Sequence, residues 1–245
     1  MPGPEHDAGP GTYSARVNIS AILLDAGGVL LFPQPEAMLA PLLAAGVAPD
    51  LGSHERAHYR AMAVLDVPGS PAPHRDTWWS SYLADYITEC GVAAELRDML
   101  AGELAGIKDL GWTHVGPGVG AGLRELAALG VPLGIVSNSD GTVEAELRRL
   151  GVCQTGDGDG IPVGVVIDSH VVGVAKPDPE IFHIALDALG VAAGDTVLHV
   201  GDSLRYDVAG ALAAGLRPVH LDPYGYCPAP SGHEHVTSLA GVLRM

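Results

Sequence analysis

Positive charge is what this chain has least of. Its 245 residues hold 13 Lys and Arg against 29 Asp and Glu, a net charge of −16. Such a surface repels phosphate backbones and anionic lipid, which argues against nucleic acid and membrane partners. It also repels an anionic substrate, unless a local cation or metal reverses the field. Cysteine is scarce too. Cys90, Cys153 and Cys227 are an odd, widely spaced set with no pair at metal-ligand spacing. That usage reads as a reduced, cytoplasmic chain without a disulfide framework. Aromatics make up only 5%. The first residues, Met1 to Arg16, lack both a basic cluster and an apolar stretch. They are expected to be a flexible tail, neither a signal peptide nor a membrane span.

What is present is a globular composition, 47% hydrophobic and rich in Ala, Gly, Leu and Val. At this length the chain fits one large domain, or a core domain with an insertion. The apolar run from Val17 to Leu24 reads as a buried central strand, because it lacks polar alternation. It ends at Asp25-Ala26-Gly27-Gly28, a carboxylate followed by glycines. Ligands of open α/β sheets sit beyond the carboxyl ends of strands, where Asp25 would stand. The plainer alternative is an aspartate that only caps a turn.

Phe32-Pro33-Gln34-Pro35 reads as a hinge-like linker. From Glu36 to about Gly111 the periodicity is helical without a convincing strand. Four helices are expected: around Met38 to Leu43, His54 to Leu65, Trp78 to Tyr86, and Ala94 to Lys108. Beyond Val115-Gly116-Pro117-Gly118 strand and helix alternate. Strands are expected at 131–136, 163–167, 196–200 and 217–221. Helices are expected at 120–129, 141–150, 179–189, 207–214 and 237–244. This alternation predicts an α/β fold: a parallel sheet with helices on both faces.

Three further strand ends carry polar residues: Ser137-Asn138-Ser139-Asp140-Gly141, Val174-Ala175-Lys176-Pro177-Asp178, and Gly201-Asp202-Ser203 with Asp207 a turn later. In a parallel sheet all of them open onto the edge that holds Asp25. Asp25 and Asp202 could share a hard divalent cation. Ser137 and nearby N–H groups could hold phosphate oxygens, although Ser137 could instead cap a helix. Lys108 and Lys176 are the only lysines, so a lysine before Pro177 is not background. Asp202 and Asp207 could also be an N-cap and a first-turn acid.

The four segments LLDAGGVL, IVSNSDG, GVAKPDPEIF and HVGDSLRYDVAGALAAG, in this order, resemble the motifs of the haloacid dehalogenase-like superfamily of hydrolases. The resemblance covers nearly all of the chain from Val17. It implies a Rossmann-like core over 17–32 and 115–245, an all-helical cap over 33–114, and the tail at 1–16. It implies Asp25 as nucleophile, Ser137 as phosphate-binding residue with Asn138 beside it, and Lys176 steadying nucleophile and phosphate. Asp202 matches a Mg2+ ligand, Asp207 a second acid supporting the metal site, and the backbone carbonyl of Gly27 a further metal ligand. The implied activity is a magnesium-dependent phosphatase acting on a small phosphorylated metabolite through an aspartyl-phosphate. A quiet binding protein and a 2-haloacid dehalogenase are the alternatives.

One position departs from the pattern. Phosphatases of this family usually carry a second aspartate two residues after the nucleophile, as acid and base; here that residue is Gly27. A water, or a cap residue among His54, His58 and His114, could substitute. A substrate with a good leaving group, such as an acyl phosphate or a sugar 1-phosphate, would need little acid help. Trp78, Trp79, Tyr82 and Tyr86 are expected as cap core, and Arg56, Arg60 and Arg75 as a solvated face. His233 and His235 are expected in a terminal loop with no more than chance metal affinity.

Overall fold

The structure, a computed structural model, describes residues 18–49, 51–69, 75–107 and 111–245. The tail at 1–16 and Lys108 lie outside the described residues, as does the side chain of Arg75. In chain order, β1 (Ala21–Leu24) and β2 (Leu31–Pro33) are followed by four helices. These are α1 (Pro35–Ala44), α2 (Leu51–Leu65), α3 (Arg75–Glu89) and α4 (Ala94–Ala105). Then come β3 (Trp112–Val115), α5 (Val119–Ala127), β4 (Leu133–Ser137) and α6 (Val143–Arg149). After these are short β5 (Cys153–Gln154) and β6 (Ile161–Pro162), β7 (Val165–Asp168), α7 (Ser169–Val172) and α8 (Glu180–Leu189). The chain ends with β8 (Val197–Gly201), a π turn over Leu204–Val208, α9 (Ala209–Ala213), β9 (Arg217–Leu221), β10 (Glu234–Val236) and a 3-10 helix over Leu239–Arg244.

Six strands form one sheet in the order β10-β9-β8-β1-β4-β7, with every pairing parallel. β1 sits inside it, bonded to β8 on one side and β4 on the other. Its four side chains have no exposed surface, as the unbroken apolar run predicts. Ile22 and Leu24 point into one apolar cluster and Ala21 and Leu23 into another, so helices cover both faces. Each buried Leu or Ile contributes ~1.5–3 kcal/mol relative to an exposed one. Helices α1 to α4 make a separate apolar cluster around Met38, Leu42, Tyr82, Leu83, Tyr86 and Ile87.

Three local expectations change. Phe32 and Pro33 lie in β2, which pairs antiparallel with β3, so two short strands join the helical insertion to the sheet. The linker reading rested on Pro33 and Pro35, but Pro is tolerated on an edge strand, and Pro35 stands at the first turn of α1. The terminal loop contains β10, which adds to the sheet edge beside β9. The helix expected at 207–214 begins as a π turn at Leu204, so Asp207 sits inside the turn, capped by Ser203.

Candidate active site

Asp25, Ser137 and Asp202 stand at the ends of three adjacent strands, β1, β4 and β8, and open into one cavity of ≈ 1330 Å3. Lys176 reaches the same place from the loop before α8. Its ammonium lies 2.8 Å from Asp25 Oδ2 and 2.7 Å from Asp207 Oδ1, and only 3% of the residue is exposed. The Lys176–Pro177 peptide is cis.

Each polar residue here has a local reason for its place. Gly201 lets the Asp207 carboxylate fold back under the end of β8, since a Cβ there would lie 2.1 Å from Asp207 Cγ. Gly28 adopts φ +70°, and a Cβ on it would collide with Asp202 Oδ2 and His58 Nε2. Asp207 spends both oxygens on the protein. Oδ1 accepts from Lys176 Nζ and lies 2.8 Å from His199 Nε2, while Oδ2 accepts from the Ser203 N–H. Its structural task is to hold Lys176 against Asp25, and metal ligation would compete with three hydrogen bonds. Asn138, expected beside Ser137 at the phosphate site, lines the cavity and also bonds the Lys176 backbone. Its amide donates to the Lys176 carbonyl at 3.0 Å and accepts the Lys176 N–H at 2.8 Å, clamping that backbone. Ser137 ends β4 and caps no helix; α6 begins after Thr142.

The charges are unbalanced. Asp25, Asp202 and Asp207 offer oxygens within 4.8 Å of one another, and one ammonium faces them. Burial would raise Asp207, but Lys176 and His199 outweigh it and hold this carboxyl well below the usual range. Burial raises Asp25 and Asp202, against the pull of Lys176, and the neighbouring carboxylates add to the rise. Burial alone would lower Lys176, yet Asp207 and Asp25 push it up to about 12. The excess negative charge in an all-oxygen donor set is what a hard divalent cation fits.

The helical insertion supplies the opposite wall. Of the three histidine candidates, only His58 lines the cavity. Its Nε2 lies 2.8 Å from Asp202 Oδ2 and its Nδ1 3.0 Å from the Tyr82 hydroxyl. Burial lowers His58 to about 3, so the ring is neutral. In the tautomer that satisfies both contacts, Tyr82 donates to Nδ1 and Nε2–H donates to Asp202. His54 packs behind it against Tyr86 at 2.6 Å. The Tyr59 hydroxyl donates to the Gly28 carbonyl at 2.7 Å. Asp66, at the end of α2, accepts from Ser203 Oγ and from the N–H groups of Leu204 and Arg205. Tyr82 and Tyr86 are fully buried, as expected of core residues, whereas half-buried Trp78 and Trp79 also line the cavity. An indole crowds Gly27: a Cβ there would lie 3.3 Å from Trp112 Cζ3.

The sequence pattern of the haloacid dehalogenase-like hydrolases matches residues 19–215. The chain belongs to that family. Among relatives of this haloacid dehalogenase-like hydrolase, the phosphoglycolate phosphatase of Rhodospirillum rubrum is 37% identical over 147 residues, 60% of this chain and 54% of that one. The chain spans little more than half the length of the curated relatives it matches. Among solved structures, the magnesium-bound hydrolase YfnB of Bacillus subtilis aligns with TM-score 0.60 and 17% identity, over 93% of this chain and 98% of that one. A 2-haloacid dehalogenase of Pseudomonas syringae aligns with TM-score 0.52 and 22% identity, over 92% and 97%. At those identities the two structures share the fold with this hydrolase, and phosphatases and dehalogenases are both built on it.

Proposed function

We propose that this hydrolase is a magnesium-dependent phosphatase of a small phosphorylated metabolite with a good leaving group, working through an aspartyl-phosphate on Asp25. The observation that supports this most is the Asp25–Lys176–Asp207 chain beside Asp202, at the edge shared by β1, β4 and β8. Asp25 attacks phosphorus, the bond to the leaving oxygen breaks, and water then hydrolyses the acyl phosphate. Lys176 orients Asp25 and neutralises an equatorial phosphoryl oxygen, with Ser137 binding another. Asp25, Asp202 and the Gly27 carbonyl would hold Mg2+, with Asp207 supporting the site through Lys176. When bound, the ion supplies the positive charge this site lacks and polarises the phosphoryl group.

The leaving-group class follows from Gly27. No side chain stands where an acid is expected, Trp112 crowds the position a Cβ would take, and His58 is neutral. General acid help is typically worth ~10²–10⁴-fold, so a leaving oxygen of low basicity is the one this site can release without it. Residues 33–114 act as a cap that excludes bulk water, with Trp78 and Trp79 facing the substrate.

The test compares acetyl phosphate and a sugar 1-phosphate with a sugar 6-phosphate, with and without Mg2+. Rates should rank by leaving group, require Mg2+, and vanish in Asp25→Asn. Halide release from a 2-haloacid without metal would establish the dehalogenase reading instead. A folded protein that turns over no phosphate compound would establish the quiet binding protein, which Gly27 also favours.

A further inference from the structure

A second cluster of candidate ligands lies on the outer strands β9 and β10 and the loop between them. His220, one residue before the end of β9, is the register partner of His235 on β10. His233 immediately precedes β10, and Cys227 sits in the loop between the strands. Each offers one ligand atom, all within 4.8 Å of one another. The His233 and His235 rings are 4.4 Å apart, and each lies within 5.4 Å of the His220 ring. Cys227 Sγ is 3.7 Å from His233 Nε2. A tetrahedral zinc with ordinary Zn–S and Zn–N bonds would need about 3.6 Å along that edge.

A second observation points to a ligand. His220 is only 5% exposed, and its Nε2 lies 3.1 Å from the Asp202 carbonyl oxygen. A carbonyl only accepts, so Nε2 carries the hydrogen and Nδ1 keeps a bare lone pair. That Nδ1 is buried and has no hydrogen-bond partner among the described residues. Buried polar atoms in folded proteins are normally satisfied. A ring that donates one N–H to a carbonyl and leaves its other nitrogen bare is arranged as metal-ligating histidines are. The loop is also shaped in advance. Asp222 accepts from the N–H groups of Tyr226 and Cys227, which turns the chain so that Cys227 faces the histidines.

We propose that His220, Cys227, His233 and His235 bind a divalent cation of the zinc class in a closed, structural site. Three imidazoles and one thiol suit zinc and do not suit magnesium, which prefers oxygen, so this site is chemically distinct from the acidic one. On binding, the Cys227 thiol passes its proton to solvent and the thiolate coordinates. The ion fastens the C-terminal loop and β10 to β9. Through His220 it also fixes the backbone of Asp202, joining the sheet edge to the catalytic edge.

The test uses the full chain, stripped with chelator and reloaded with zinc chloride in excess Mg2+, which occupies the acidic site. Elemental analysis should find one zinc per chain, and Co2+ in its place should give thiolate-to-cobalt charge-transfer absorption. Cys227→Ser should abolish that absorption. His235→Ala, at an exposed position, should weaken zinc binding by more than about 100-fold, since loss of a partner even one bond beyond the ligands typically costs roughly 10–100-fold. His235→Ala also serves if Cys227→Ser fails to fold. Wild-type protein without zinc, cobalt spectra lacking the thiolate band, or zinc retained equally by both variants would each overturn the proposal.

Discussion

The two walls of the central cavity differ in kind. The sheet wall carries three carboxylates within 4.8 Å of one another and a lysine in contact with two of them, Asp25 and Asp207. The wall from the helical insertion and β3 carries a neutral imidazole and indole rings. Charge that can act on a phosphoryl group is thus concentrated on one side. The other side restrains it: His58 holds Asp202, Tyr59 holds the Gly28 turn, and Asp66 holds the segment after Asp202. A site divided this way can change its substrate through one wall without disturbing the chemistry of the other.

Breaking the charged wall should cost most. Lys176→Met leaves Asp25 and Asp207 facing each other in a buried site, and removing one partner of a buried pair costs ~3–5 kcal/mol. Denaturant unfolding should report that loss together with loss of turnover. An unfolding midpoint equal to wild type would show that the lysine is not holding these acids.

The next change exchanges one wall for the other. Gly27→Asp alone forces the Trp112 ring to move, an overpacking worth about 1–3 kcal/mol, and should not speed poor leaving groups. Combined with Trp112→Ala, the new carboxyl gains room and should speed a sugar 6-phosphate more than acetyl phosphate. If the single variant already does so, the indole is no obstacle and the account of the missing acid fails.

His58→Ala removes the partner of Asp202 and Tyr82, a loss of roughly 1–3 kcal/mol for the buried groups left unpaired. Asp202 is then released, so calorimetric Mg2+ affinity should rise as stability falls. Weaker Mg2+ binding would mean that His58 supports the metal site instead of competing for it.

The smallest effect is in pH. Burial raises Asp66 to about 7, above its ordinary 3.8, despite the donors around it. The folded protein therefore keeps this proton to higher pH than the unfolded chain does. Its contribution to stability is complete below about pH 4 and is lost as pH rises through 7. Between pH 5 and 8, wild-type melting temperature should fall more than that of Asp66→Asn. Parallel curves would remove Asp66 as the source.

The sheet wall was legible in the chain because its residues follow local signals. A buried apolar run predicts β1, and the polar residues at the ends of β1, β4 and β8 predict the edge that holds the candidate site. What Asn138 and Asp207 do was not legible, because both bind Lys176 or its backbone across more than thirty residues. The insertion wall was legible only as helices. His58 meets Asp202 at a separation of 144 residues, and no periodicity in α2 marks which face docks. β2, β3 and β10 are three or four residues long, too short for alternation to declare them. The His220 cluster was missed for a related reason: Cys227 and His220 join His233 and His235 only once β9 and β10 pair.

During turnover Asp25 should carry the phosphoryl group. The direct measurement is acid quenching within the first turnover of acetyl phosphate, followed by peptide mapping by mass spectrometry. One phosphoryl group on the peptide containing Asp25, absent from Asp25→Asn, is the predicted result. Phosphate released through the first turnover with the Asp25 peptide unlabelled, or a label mapped to another residue, would contradict it.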